Sequence, residues 1–141
     1  MTDDRSDGSP SPGPASSISA IGMTMDALDP ARVADFWQPA IGFARRVGDG
    51  GAAVTLSESP VGRPLNHLTI QRVPEAKVAK NRAHLDLFAR EPEAEVARLV
   101  GLGATVLSTP DPTAGGHLGF HAWVLADPEG HEFCVVGRLT S

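Results

Sequence analysis

The stretch NRAHLDLFAREPEAEVARLVGLG, residues 81–103, changes its period halfway along. Its first nine residues alternate, with Leu85 and Leu87 on one side and Arg82, His84 and Asp86 on the other, as in a strand with one buried face. From Glu91 the period becomes helical: an acidic residue, Pro92 in the first turn, an amphipathic run, and Gly103 as the stop. The same order occurs once before. In ISAIGMTMDAL (18–28), Ile21, Met23 and Met25 alternate with Gly22, Thr24 and Asp26. DPARVADFWQPAIG (29–42) follows, with Asp29 to cap, Pro30 in the first turn, Val33, Phe36, Trp37 and Ile41 at helical spacing, and Gly42 to end the run.

The dipeptides Asp29-Pro30 and Glu91-Pro92 lie 62 residues apart. Each helix is followed by material for three strands. FARRVGDGGAAVTLSE (43–58) reads as a hairpin around Gly48-Asp49-Gly50-Gly51, and NHLTIQRV (66–73) as the next strand. In the second half, ATVLSTP, HAWVLADPEG and HEFCVVG supply the strands, with Asp127-Pro128-Glu129-Gly130 as the turn between the last two. The chain is therefore α+β and written twice as βαβββ, with module one over 18–73 and module two over 81–138 of a single domain spanning 18–139. A unit of about 60 residues is marginal alone, so the two are expected to share a core. Each curled mixed sheet covers its apolar side with a helix. The opposite sides, carrying Thr24, Asp26, His84 and Asp86, are left to line a concave cleft, the usual form of a small-molecule site.

Composition narrows the function. The formal charge is −5, with 17 acidic against 12 basic residues, and the basic residues are scattered, so no stripe for nucleic acid exists. No apolar run approaches the roughly 20 residues that span a bilayer, and the N-terminus lacks a basic start and apolar centre, which points to the cytoplasm. Residues 1–17 are Ser, Pro, Gly and Asp with almost nothing to bury and are expected to be a disordered tail. Cys134 is the only cysteine, which rules out an intrachain disulfide and a multi-cysteine zinc site. The glycines at 48–51 lie between strands and not before a helix, so they do not make a phosphate loop.

The run LDPARVADFWQPAIGF, then IQRVPEAKVAKNRAHLDL, the joint VARLVGLGATV and finally VLADPEGHEFCVV, in this order and spacing, resemble the vicinal oxygen chelate superfamily, in its small glyoxalase-like branch. The resemblance covers nearly everything after the tail. It implies the glyoxalase/bleomycin resistance fold and a homodimer in which sheets pair between copies. It also implies a divalent metal (Fe, Mn, Ni or Zn) in the metal-dependent members, with ligand positions that correspond here to Gly22, His84 and Cys134. Of these only His84 is a usual ligand, and Gly22 has no side chain to offer.

Two further residues are candidates for such a metal. Glu132 shares a strand face with Cys134, and His67 lies opposite Leu68 and Ile70; with His84 they would make two imidazoles and a carboxylate. His131 and Glu132 are adjacent on a strand and point apart, so HEFC does not act as a zinc-protease pair. His117 and His121 in AGGHLGFHAW belong to a loop read as a lid bringing Phe120 and Trp123 over the cleft.

The function expected first is a small molecule bound without metal, for sequestration or resistance, in a pocket lined by Gln71, Arg82, His84, Asp86, Trp123, Glu132 and Cys134. Arg72 stands near Gln71 as a further candidate for an anionic ligand. A metal-dependent lyase, isomerase or dioxygenase acting on a substrate with vicinal oxygens is the alternative. An enzyme using His84 or Glu132 as general base is a third.

Overall fold

The computed structural model describes residues 16–18, 20–60 and 65–139. The tail expected over 1–17 lies outside these residues apart from Ser16 and Ser17. Ten elements follow in the expected order: β1 (Ile21–Ala27), α1 (Pro30–Ile41), β2 (Arg45–Val47), β3 (Ala53–Ser57), β4 (Leu65–Arg72), β5 (Asp86–Phe88), α2 (Pro92–Leu102), β6 (Thr105–Ser108), β7 (His121–Ala126) and β8 (Glu132–Gly137). They form two four-stranded mixed sheets, β1-β4-β3-β2 and β5-β8-β7-β6, open and not closed into a barrel. In each, the first strand of the module runs parallel to the last and the other pairings are antiparallel. The duplication read from the sequence is thus a duplication of topology.

Helix α1 has the ends its sequence specifies. The Asp29 carboxylate accepts from the Arg32 amide at 3.2 Å, and Gly42 leaves the helix at φ 91°, a left-handed conformation costly for any residue with a Cβ. Its face of Val33, Ala34, Phe36, Trp37 and Ala40 is buried against Val54, Leu56, Leu68 and Ile70 of its own sheet. It also reaches the second module. Phe36, Trp37 and Phe133 of β8 form an aromatic trio with centroids 4.9–5.9 Å apart, and Trp123, Leu125 and Val135 continue the same core. Truncating such a buried ring to Ala costs about 3–5 kcal/mol. Helix α2 is more peripheral, burying Pro92 and Leu99. Arg98, paired with Glu95, extends from it to the carbonyls of Pro39 and Ala40 at 3.1 and 2.7 Å, satisfying acceptors that the end of α1 leaves open.

The strand expected over 81–89 is much shorter. Only Asp86–Phe88 pairs with β8, in the register Asp86 to Cys134, Leu87 to Val135 and Phe88 to Val136. Upstream, the Asn81 amide donates to the Glu132 carboxylate at 3.0 Å and not to a neighbouring strand. A side-chain acceptor has replaced the ladder there.

Candidate functional site

His84, Asp86 and Cys134 meet on the face of the second sheet that points away from the helices. One ligand atom from each lies within 4.8 Å of the other two, and among the described residues no other His, Cys, Asp or Glu belongs to such a group. The backbone explains the meeting: residues two apart in extended chain share a face, and the parallel register sets Cys134 beside Asp86. His84 Nε2 is 3.1 Å from Asp86 Oδ1, both side chains about half exposed, whereas Cys134 is buried. Burial, then the negative charge and hydrogen bonding of Asp86, push the Cys134 thiol above its ordinary value. The cluster therefore holds a protonated thiol beside a carboxylate that is itself paired with an imidazole.

The other expected site residues lie elsewhere. Gln71 donates to Asp26 at 2.7 Å on the first sheet. Arg82, outside any strand, lines a cavity of about 410 Å³ with Thr24, Asp26, Lys77 and Asn81, a cavity that neither His84 nor Asp86 lines. Arg72 donates to the carbonyls of Gly51, Leu28 and Gly50 at 2.7–2.9 Å, which makes it a clamp on the 48–51 turn and not a free anion contact.

Trp123 is a correction. It is 5 % exposed and packs in the core with Leu125, Phe133 and Val135, on the side of β7 away from Cys134. Both faces of β7 are apolar, Trp123 and Leu125 against Ala122, Val124 and Ala126, so alternation could not tell which side would be buried.

The metal set of His84, Glu132 and His67 is a second correction. The Glu132 carboxylate accepts from Lys77 Nζ at 2.9 Å and from the Asn81 amide at 3.0 Å, and these hydrogen bonds, Lys77 foremost, bring its carboxyl down to about 2. It is the anchor of the 77–81 linker. His67 lies on the first sheet, over Gly22: a Cβ at position 22 would come within 2.3 Å of its Nε2. The missing side chain of Gly22 is the space the imidazole fills.

The segment expected to be a lid is shaped by bonds within itself. His117 and Phe120 exchange backbone hydrogen bonds at 3.0 and 2.9 Å around a tight turn, and His121 Nε2 contacts the Ala114 carbonyl at 2.9 Å. Neither histidine joins a metal-ligating group.

One polar constellation was not foreseen from the sequence. The buried carboxylate of Asp127 accepts from Trp37 Nε1 at 2.8 Å, from His131 Nδ1 at 2.8 Å, and from the amides of Glu129 and His131 at 2.9 and 3.0 Å. The far nitrogen of His131 lies 2.7 Å from the carbonyl of Asp26, and Glu129 accepts from the amides of Leu28 and Asp29 at 2.7 and 2.8 Å. The β7–β8 turn is thereby fastened to the β1–α1 junction of the other module. Both ring nitrogens of His131 face acceptors, which calls for two N–H donors and hence the imidazolium. Burial opposes that charge, but the Asp127 carboxylate outweighs it and raises the His131 value; reciprocally, burial would raise Asp127, and His131 with Trp37 lowers it. The legible signal was an Asp and a His four residues apart across a turn.

Two grooves complete the geometry. One of about 870 Å³ runs beside consecutive residues of β5 between the end of α1 and α2, and the 410 Å³ cavity runs beside Met23–Asp26 of β1. Lining by consecutive residues means that each follows a strand edge, and both strands are outermost in their sheets.

The family model described as "Glyoxalase-like domain" matches residues 22–136. No curated protein matches the chain significantly. Among solved structures, a glyoxalase/bleomycin resistance protein/dioxygenase family enzyme from Burkholderia phytofirmans PsJN is similar at TM-score 0.62 and 17 % identity, covering 84 % of this chain and 97 % of that one. A glyoxalase-related enzyme from Fulvimarina pelagi is similar at 0.61 and 19 %, covering 86 % and 88 %. The fosfomycin resistance protein FosX from Mesorhizobium loti is similar at 0.61 and 15 %, covering 86 % and 92 %. At these identities the likeness is one of fold. Among the described residues no helix is long and apolar enough to cross a membrane.

Proposed function

Since the chain belongs to the glyoxalase-like domain family, we propose that it is a cytoplasmic binding protein that holds a small molecule, without metal, against the second sheet around His84, Asp86 and Cys134. The observation that carries this reading is the way the three metal-ligand positions implied by the resemblance are filled. Position 22 is a glycine whose side-chain space belongs to His67, and position 134 is a thiol that burial and Asp86 keep protonated. The third, His84, already has Asp86 as a partner at 3.1 Å. Such a self-satisfied row offers a donor and acceptors to a ligand with no ion to complete it. Sequestration or resistance fits this chemistry, and a fosfomycin resistance protein among the fold neighbours supports that role.

The compactness of the triad favours one second reading, a metal-dependent lyase, isomerase or dioxygenase. His84, Asp86 and Cys134 would hold the ion, and an imidazole, a carboxylate and a thiolate suit a divalent ion of borderline softness such as zinc. A bound ion would supply Lewis-acid polarisation of substrate oxygens. Cys134 would have to release its proton on binding, so affinity would rise with pH. Elemental analysis of protein purified without chelators separates the two readings. Absence of stoichiometric metal in protein that still binds its ligand is the expected result; one equivalent of Fe, Mn, Ni or Zn, lost in His84→Ala, would overturn it.

The outermost strands β1 and β5 support a homodimer. Each has one side without a strand neighbour, bordered by a groove, and an open edge invites pairing. A homodimer that sets β1 of one copy beside β5 of the other would join the two sheets into one concave surface. Light scattering after size exclusion should return twice the chain mass of 14.7 kDa.

A further inference from the structure

The polar row continues past Asp86 into an aromatic end. Alternation along β5 puts Phe88 on the same side as Asp86, and Phe88 is paired with Val136 as Asp86 is with Cys134. Phe88 is 71 % exposed. Phe120, which closes the 117–120 turn, meets it edge to face with centroids 6.0 Å apart at 85°. The Arg138 guanidinium lies over the Phe120 ring, 4.6 Å from its centroid, and against Gly119, where a Cβ would come within 2.6 Å of its Nη1.

Arg138 forms no ion pair among the described residues. A ring and a glycine position it in place of an acid, so its charge and its edge donors stay available while its plane is held. An exposed guanidinium oriented in this way suits a carboxylate, which it can grip through two parallel hydrogen bonds. The row of Phe88 and Val136 lies two residues along the strands from the row of Asp86 and Cys134, about 7 Å away. An aromatic ring of the ligand would span that distance.

We infer that the ligand of this face is a small aromatic carboxylate: its acid group on Arg138, its ring against Phe88 and Phe120, and a hydroxyl or amine at the far end reaching Asp86 and His84. The inference rests on the second sheet being the ligand-bearing face.

Titration of the isotope-labelled full-length protein with 4-hydroxyphenylacetate, followed by amide NMR shifts, tests it, with neutral 4-hydroxyphenylacetamide as the control. The acid is expected to move the amides of Phe88, Phe120 and Arg138 and to bind about tenfold more tightly than the amide. Arg138→Gln should remove that preference, weakening the acid far more than the amide, whereas Phe88→Ala should weaken both. Equal binding of acid and amide, or an acid affinity indifferent to Arg138→Gln, would overturn the inference. So would a Phe88→Ala variant that dissociates a dimer with no change in probe binding, since the ring would then serve a second copy. Shifts confined to the first sheet would overturn the ligand-bearing face as well; no shift anywhere would overturn the aromatic carboxylate alone.

Discussion

Asp86 is the residue on which the cluster turns, because it touches both of its companions. Its charge and hydrogen bonding, added to burial, keep the Cys134 thiol protonated, and its Oδ1 orients the His84 ring. Asp86→Asn removes the charge and leaves the burial. The thiol should become more acidic and react several-fold faster with an aromatic disulfide at pH 8, measured by release of the coloured thiolate. An unchanged rate would mean that burial alone protects Cys134. His84 and Asp86 could be placed together from the sequence because they lie two apart in an alternating run, whereas Cys134 joins them through the parallel register of the structure. Glu132 could not be separated from them in the same way, since it shares the face of Cys134 and its fate depends on Lys77, 55 positions away in the chain.

At the scale of elements, the linker before β5 is the segment that sequence alternation misdescribed. Residues 81–85 alternate as a strand would, yet Glu132 captures the Asn81 amide and Lys77, and the ladder starts only at Asp86. Glu132→Gln takes the acceptor's charge out of both contacts, a difference of about 1 kcal/mol. Amide hydrogen exchange is expected to speed up over residues 77–84 while β7 and β3 keep their protection. Since Lys77 and the Asn81 amide bring the Glu132 carboxyl down to about 2, this contribution is complete above the unfolded value of about 4.3. It disappears as the pH falls from there through about 2. Equal exchange in the variant and the parent would show that the linker is held by other means. Helix ends and turns were more legible than the linker, since Asp29, Gly42, Gly103 and the 127–130 turn act within a few residues of themselves.

For the whole molecule, the joint between the modules is where pH should be felt. Asp127 has its carboxyl lowered and His131 its imidazole raised, and the signs are opposite. The Asp127 contribution is present above the unfolded value of about 3.9 and is lost as pH falls through its lower folded value. The His131 contribution is complete below about 6.5 and is lost as pH rises through its higher folded value. Stability measured by urea unfolding should therefore be greatest between about pH 4 and 6.5 and decline above neutrality. His131→Gln should flatten the alkaline side of that profile. Asp127→Ala, which strips Trp37 and His131 of a buried acceptor, should cost about 3–5 kcal/mol. An alkaline decline that persisted in His131→Gln would place the titrating group elsewhere.

The sequence by itself determined what is local or periodic: two βαβββ units, their helix caps, their turns, and the parity that sets His84 and Asp86 on one face. Tertiary structure alone decided which polar groups found partners. Trp123 is core because α1 brings Phe36 and Trp37 up to β8 on that side of the second sheet. Gly22 is a seat for His67, Glu132 an anchor for a distant lysine, and Asp127 a buried junction between modules. The physical reason is range. Propensity, capping and alternation act over one to four residues, whereas a buried charge is settled by whatever the fold brings within about 3 Å of it.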